Sequence, residues 1–474
     1  MGSGQVTDWQ GMHVTVAGLG VSGIPAAKVL HARGAVVTVV NDGDDARARE
    51  QAAELEALGI TVRLGDGATL PKGTELVVTT PGWKPDKPLF EAARAAGVDI
   101  WGDVELAWRL RGPDAAPWLA VTGTNGKTTT VQMLASILTA AGLRTAAVGN
   151  IGVSLLDVVL GEQQYDVLAV ELSSYQLHWA PSLRAHSAAV LNLAPDHLDW
   201  HGSMEAYAAD KGRIYEGNRV ACVYNAADNA TEDLVREADV EEGCRAIGFT
   251  LGTPGPSQLG VVDGILVDRA FVENRQQNAQ ELAEVSDVNP PAPHNIANAL
   301  AAAALARAFG VPAAAVREGL RNFRPDAHRI AHVADVDAVA YVDDSKATNT
   351  HAAQASLAAY ESIVWIAGGL AKGATFDELV AKSAERLRGV VLIGQDRALI
   401  REALARHAPQ VPVVDLDRTD TGAMLAAVQE AQRLAVAGDT VLLAPACASM
   451  DMFANYNKRG DAFAQAVGEL GAGA

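Results

Sequence analysis

The apolar run Leu119-Ala-Val121 leads through Thr122 into Gly123-Thr-Asn-Gly126, after which Lys127 and three consecutive threonines open a helical pattern reaching Leu138. Few backbone paths accommodate that succession. A strand that turns on glycines directly into a helix aims backbone N–H groups, the positive helix end and a lysine at one point, which is a cradle for phosphate. A threonine after the lysine, here Thr128, is placed to ligate Mg²⁺ in such a loop. Gly123, Thr124, Asn125, Gly126, Lys127, Thr128 and Thr129 are therefore candidate contacts to a nucleoside triphosphate. The usual pattern has another glycine five positions before Gly126, where this chain has Val121. A chance Gly-Lys-Thr in a surface turn is the alternative.

The alternation of short apolar runs, glycine turns and helical patterns continues on both sides of this loop and predicts an α/β protein built on mainly parallel sheets. With 474 residues the chain has room for about three domains. Its 49% hydrophobic content includes only 5% aromatic residues, so the cores are expected to be Ala, Val and Leu helices packed on buried strands. Gly112-Pro-Asp-Ala-Ala-Pro117 and Arg324-Pro-Asp-Ala-His-Arg329 read as linkers. They divide the chain into a Rossmann-like domain (1–113), a phosphate-loop ATPase-type domain (114–323) and a second Rossmann-like domain (324–474). A net charge of −19 argues against general nucleic-acid or membrane-surface binding. The three cysteines lack metal-ligand spacing, and neither a signal-like leader nor a run of ~18 apolar residues is present. A cytoplasmic, non-inserted protein is expected, and a monomer.

Several candidates lie beyond strand ends, where open parallel sheets bind ligands. Met12–Ala17 runs into Gly18-Leu-Gly20-Val21-Ser22-Gly23, and the next strand ends at Asn41-Asp42, the spacing of a dinucleotide fingerprint. The same turn serves NAD(P), another diphosphate such as a nucleotide-sugar, or tight packing alone. Asn150 follows a short strand, and Glu171 sits at the end of Asp166–Val170, placed either to hold Mg²⁺ or simply to start a helix. Asp196, His197, Asp199 and His201 suggest a metal or anion site, or equally a capping turn. Lys211 reads as an ordinary solvated helix residue. In the third domain Asp344, Lys346, Thr348, Lys372 and Ser449 occupy loops along one sheet edge, as caps or as ligands.

Six stretches taken in order, GTNGKTTT, ELSSYQL, NLAPDHLDWH, HNIANAL, DDSKATN and PACASMDMF, resemble the Mur ligase family of ATP-dependent, amide-bond-forming enzymes of peptidoglycan synthesis. The resemblance implies three α/β domains for a UDP-substrate, ATP and an amino acid. It assigns Gly20, Val21 and Ser22 to the UDP end, with Asn41 and Asp42 toward the uracil and Asn150 at the muramoyl-alanine portion. The family pattern at 41–43 is Asp-Thr-Arg, where this chain has Asn41-Asp42-Gly43. It further implies that Thr128 and Glu171 hold Mg²⁺, that His197 serves a second Mg²⁺, and that Lys211 is carried as a carbamate. Asn295 and Asn298 would face adenine, and Arg329 and Asp344 the ribose and phosphates. Lys346, Thr348, Lys372 and Ser449 would receive D-glutamate carboxylates, with Met450 and Tyr456 lining the pocket.

The implied reaction joins D-glutamate to UDP-N-acetylmuramoyl-L-alanine through an acyl-phosphate and a tetrahedral adduct, with ATP and Mg²⁺ as cofactors. Lys127, His197 and Lys211 are its expected catalytic residues. Within the family, Asn125 replaces the histidine usual in the L-alanine enzyme, and the Asp-Asn-Pro-Arg motif of the diamino-acid enzyme is absent. A ligase for a different amino acid, a nicotinamide oxidoreductase using only the first glycine turn, and a non-catalytic nucleotide-binding regulator are the competing readings.

Overall fold

A computed structural model describes residues 8–418, 420 and 422–471. Three sheets organise them. The first contains β1 (His13–Ala17), β2 (Val36–Asn41), β3 (Thr61–Leu64), β4 (Leu76–Thr79) and β5 (Asp99–Gly102), all parallel in the order 3-2-1-4-5. The strand order reverses between β1 and β4, the switch point at which such sheets open a crevice. The second sheet contains β6 (Trp118–Thr122), β7 (Ala147–Gly149), β8 (Leu168–Glu171), β9 (Ser187–Val190), β10 (Ala221–Asn225), β11 (Arg245–Phe249), β12 (Gln258–Val262), β13 (Ile265–Asp268) and β14 (Gln280–Glu284). Their order is 14-13-12-11-10-9-6-8-7. Strands β6 to β12 pair in parallel, and β12–β13 and β13–β14 close one edge as antiparallel pairs. The third sheet, β15 (Ala331–Val336), β16 (Val339–Asp343), β17 (Ile363–Gly368), β18 (Leu387–Ile393), β19 (Val413–Asp415) and β20 (Thr440–Leu443), has the order 15-16-20-17-18-19. Only its β15–β16 pair is antiparallel.

The α/β expectation holds, and its physical basis is visible in the strands. Every residue of β4, β6, β8, β9, β17 and β20 is buried, as strands covered by helices on both faces must be. Ala299 to Ala306 are buried without exception, so the alanine-rich helix Pro293–Ala308 is a core element rather than an amphipathic surface one. Strands β3, β5, β10, β11 and β15 were not legible as apolar runs. β3 and β15 are edge strands carrying charge or half-exposed residues. The 250–290 stretch, expected as weak strands and loops, forms the β12–β14 extension, including a tight turn at Asp263-Gly264.

The three sheets fall into two compact units. One spans residues up to Asp287 together with Ala297–Phe323; the other is Val288–Ile296 with Arg324 onward. The first two sheets share a unit because their joint is packed and bonded. Buried Glu105 accepts hydrogen bonds from the Ser182 N–H (3.0 Å) and hydroxyl (2.5 Å), Gly102 N–H donates to the Trp179 carbonyl (2.8 Å), and the Phe90 ring packs on Trp179. Among the described residues no helix is long and apolar enough to cross a membrane.

The glycines of the first turn divide by role. A Cβ on Gly23 would lie 1.9 Å from the Gly18 carbonyl oxygen, whereas one on Gly20 would meet nothing within 4 Å. Gly23→Ala should therefore lower stability by about 1–3 kcal/mol, the range for overpacking, while Gly20→Ala leaves the unfolding midpoint unchanged. Thermal melts of the two variants against the parent check this.

Candidate active site

The carboxyl ends of β7, β8, β6 and β9 lie side by side, and each delivers one part of a single site. After β6, the phosphate loop is fixed by its own polar groups. Gly123 (φ +151°) and Gly126 (φ +84°) take conformations that favour glycine, and a Cβ on Gly126 would come within 2.4 Å of Asn298 Oδ1. Asn125 N–H donates to Asn192 Oδ1 (2.9 Å), and Asn192 Nδ2 donates back to the Asn125 carbonyl (3.1 Å). The Thr124 hydroxyl lies 3.0 Å from the Tyr207 hydroxyl and accepts from Ala194 N–H at 3.0 Å. Lys127 Nζ donates to the Gly123 and Thr124 carbonyls, 2.9 Å each.

Glu171 is the last residue of β8 and is buried, so it is not a helix-start glutamate. The Thr128 hydroxyl donates to its Oε2 at 2.7 Å, and Asn150 Nδ2, beyond β7, donates to its Oε1 at 3.0 Å. A hydroxyl and an amide N–H thus hold a carboxylate at adjoining strand ends, leaving hydroxyl and carboxylate oxygens together. This set suits a hard cation that keeps several waters and takes its remaining ligands from phosphates. Among the described residues no three His, Cys, Asp or Glu side chains gather as a self-contained metal cage.

The Asp/His stretch after β9 splits. His197 has φ +53° and a half-exposed side chain 3.5 Å from Asp196, its ring tilted against Tyr175; burial depresses its basicity. Asp199 is exposed, beside Lys84. His201 turns inward, where its Nδ1 bonds Asp210 (3.0 Å) and its Nε2 the Ser174 hydroxyl (2.9 Å). His178 Nδ1 bonds the same Asp210 carboxylate at 2.9 Å. Burial opposes ionisation of Asp210, but these hydrogen bonds outweigh it and hold the carboxyl down to about 2. His178 and Asp210 carry no sequence signal of this pairing, since they stand 32 residues apart with no shared motif.

Lys211 is where the structure departs most from a reading of its local sequence. It is 2% exposed, lies over the Tyr207 ring and donates to the Gly123 carbonyl (2.8 Å) and Thr122 hydroxyl (3.3 Å). Burial, then the charge of Lys127, push its ammonium well below the usual lysine range, favouring the nucleophilic neutral amine.

In the first sheet Gly20 and Val21 are exposed, and the Ser22 hydroxyl donates to Asp103 (2.8 Å). Asn41 Oδ1 accepts from Leu19 N–H at 3.2 Å, tying the β2 end to the glycine turn, and Asp42 pairs with Lys87, whose ammonium lies over Trp83. In the C-terminal unit the loops after β16, β20 and β17 belong to consecutive strands. They carry Lys346 (over the Tyr456 ring, 4.1 Å) and Thr348, then buried Ser449 and exposed Met450, then exposed Lys372 at φ +49°. A non-glycine residue in the left-handed region is strained by about 1–2 kcal/mol, and His197 and Lys372 both hold such positions. Buried Arg459 ties two of these loops together, donating to Ser345 and to the Cys447 carbonyl (3.0 Å). Arg329 adjoins Asp344, and Asn295 Nδ2 donates to the Pro290 carbonyl at 3.2 Å.

Residues 121–306 match the Mur ligase middle domain and residues 328–447 the Mur ligase glutamate ligase domain. The chain belongs to the Mur ligase family. It is 89% identical to the UDP-N-acetylmuramoylalanine--D-glutamate ligase of Streptomyces avermitilis, covering 98% of this chain and all of that one. The enzyme of the same name from Thermobifida fusca is 60% identical, over 97% and 99% of the two chains. Among solved structures, the fold is shared with the UDP-N-acetylmuramate-alanine ligase of Thermotoga maritima (TM-score 0.55, 19% identity, 97% and 99% coverage). It is shared also with the MurF ligase of that organism in complex with ADP (TM-score 0.56, 16% identity, 98% and 96% coverage).

Asp344 is buried, accepts from Ser356 Oγ and from Ile330 N–H (3.3 Å), and is raised by burial to about 6. An unfolded aspartate titrates near 4. Between these values the folded chain binds a proton that the unfolded chain releases, so this carboxyl favours folding at pH 5 and ceases to do so as pH rises through 6. Asp344→Asn should therefore gain stability relative to the parent on going from pH 5 to pH 8, by about 1.4 kcal/mol. Urea titrations at the two pH values read this.

Proposed function

We propose that this protein is an ATP-dependent ligase that forms the amide between the L-alanyl carboxylate of UDP-N-acetylmuramoyl-L-alanine and the amine of D-glutamate, in peptidoglycan precursor synthesis. The observation that carries this reading is the full-length match to relatives bearing that enzyme's name. We place the enzyme in the cytoplasm, as a monomer, with the domain from residue 1 to 113 taking the UDP-substrate, 114–323 ATP and 324–474 the amino acid.

The chemistry sets the order. A carboxylate is a poor electrophile, so phosphoryl transfer from ATP must precede attack. The γ-phosphoryl leaves ADP for the alanyl carboxylate oxygen; the amine then adds to the acyl-phosphate carbonyl; the tetrahedral adduct expels phosphate and leaves the amide. Lys127 and the loop N–H groups meet the charge that develops on the transferring phosphoryl. The already bonded loop enters this step without reorganising. Mg²⁺, when bound at Thr128 and Glu171, supplies further neutralisation of that charge. We assign His197 and Lys211, the latter as its carbamate, to a second cation. Burial and the charge of Lys127 push Lys211 toward the neutral amine, the form that adds to CO₂, which supports that assignment. Asn298, Asn295, Arg329 and Asp344 are assigned to the nucleotide. Gly20, Val21, Ser22, Asn41 and Asp42 are assigned to the UDP end and Asn150 to the muramoyl-alanine portion. Lys346, Thr348, Lys372, Ser449, Met450 and Tyr456 are assigned to D-glutamate, whose two carboxylates call for two cations.

Phosphate release measured with ATP, UDP-N-acetylmuramoyl-L-alanine and a panel of amino acids tests the proposal. D-glutamate should support turnover at least 10²-fold better than L-alanine or a diamino acid; preference for either of those would overturn it. Lys127→Ala should abolish turnover with an unchanged melting curve. Lys372→Ala should raise the KM for D-glutamate about tenfold or more, consistent with loss of a charge-assisted contact, and leave the KM values for ATP and the UDP-substrate within about twofold. A selective loss of UDP-substrate affinity would instead move Lys372 out of the amino-acid site.

A further inference from the structure

The strand beginnings of the central sheet form a second concave edge, opposite the phosphate loop. His186 N–H donates to the Trp118 carbonyl and Val220 N–H to the His186 carbonyl, 3.0 Å each, so the starts of β6, β9 and β10 adjoin. The linker 112–117 reaches β6 across this edge, and a cavity of about 660 Å³ opens there. Arg111, Arg184, Arg219 and His186 line it, with Trp108 as an aromatic wall and exposed Glu241 as its one acidic residue.

Three guanidinium groups sit here without an ion-pair partner. Among the described residues neither Arg111, Arg184 nor Arg219 forms an ion pair, although acidic residues outnumber basic ones 57 to 38 and other arginines, such as Arg49, Arg144 and Arg307, are paired. Arg184 and Arg111 donate only to backbone carbonyls, of Pro181 and Leu183 and of Trp108. The Arg111 guanidinium also lies 3.1 Å from the Trp108 ring centroid. Burial, together with the charge of Arg219, lowers the basicity of both Arg111 and His186. Arg219 thus opposes the charged forms of both neighbours, and an anion between them would offset that opposition.

We propose that this cavity is an anion-binding site, separate from the nucleotide and amino-acid sites, for a small molecule carrying two phosphate groups. Three planar forks of N–H donors match phosphate oxygens, and the volume exceeds what a single inorganic phosphate fills. Such an occupant would bridge the linker and the strand beginnings.

Calorimetric titration of the full-length protein with inorganic pyrophosphate tests this. Saturating ADP and UDP are present, without Mg²⁺, so that the phosphate loop and the first glycine turn are already filled. Saturable one-site binding is expected, weakening as salt rises. Arg184→Ser with Arg219→Ser, both exposed side chains, should weaken it at least tenfold while turnover without pyrophosphate stays within twofold of the parent. Glu241→Gln, which removes the only carboxylate, should tighten binding. Absence of saturation at millimolar pyrophosphate, or equal affinity in the double variant, would overturn the proposal.

Discussion

The buried carboxylate of Glu171 depends on being hydrogen-bonded, and much of the site follows from that requirement. A desolvated carboxylate without donors is strongly unfavourable. Here Thr128 from the phosphate-loop helix and Asn150 from beyond β7 supply them. Satisfying one group thereby fixes the spacing of three strand ends. The Asn125–Asn192 exchange does the same between β6 and β9. The phosphate loop is held from both sides, so little ordering is left for the substrate to impose.

Below this rim the scaffold is economical in shape. Alanine, valine and leucine fill strands that see no solvent on either face, and the helix through Ala299–Ala306 packs closely because its side chains are small. Asn298, one residue before that buried run, can then approach Gly126 closely enough that no side chain would fit between. Core packing and site geometry are the same contact at that point.

His197 and Lys372 are among the ten described non-glycine residues held at positive φ. Neither is glycine, and each lies in a loop beyond a strand end, where a rigid scaffold can hold an unfavourable conformation. Three cysteines remain free thiols, so nothing covalent supports those loops; hydrogen bonds do, such as Leu370 N–H to the Ala448 carbonyl (2.9 Å) and Trp200 N–H to the His197 carbonyl (3.0 Å).

Much was legible in the linear chain because parallel α/β folds write their ligand contacts next to strand ends. The phosphate loop, Glu171 at the end of an apolar run, the glycine turn at 18–23 and the lysine-bearing loops of the third sheet could each be located from local pattern. Edge strands such as β3 and β15 could not, since half-exposed residues erase the apolar run. Lys211 shows the deeper limit. Its helix looks solvated, and its burial depends on Tyr207 and on a carbonyl 88 residues away. The same holds for Asp210, whose two histidine partners are chosen by the packing of separate helices, and for the three arginines brought together at the opposite sheet edge. Sequence by itself determined which short segments become strands, turns and helix starts, because those depend on neighbours within a few residues. Only the tertiary structure decided which charges are buried and which meet, because desolvation and pairing are set by segments that are distant along the chain.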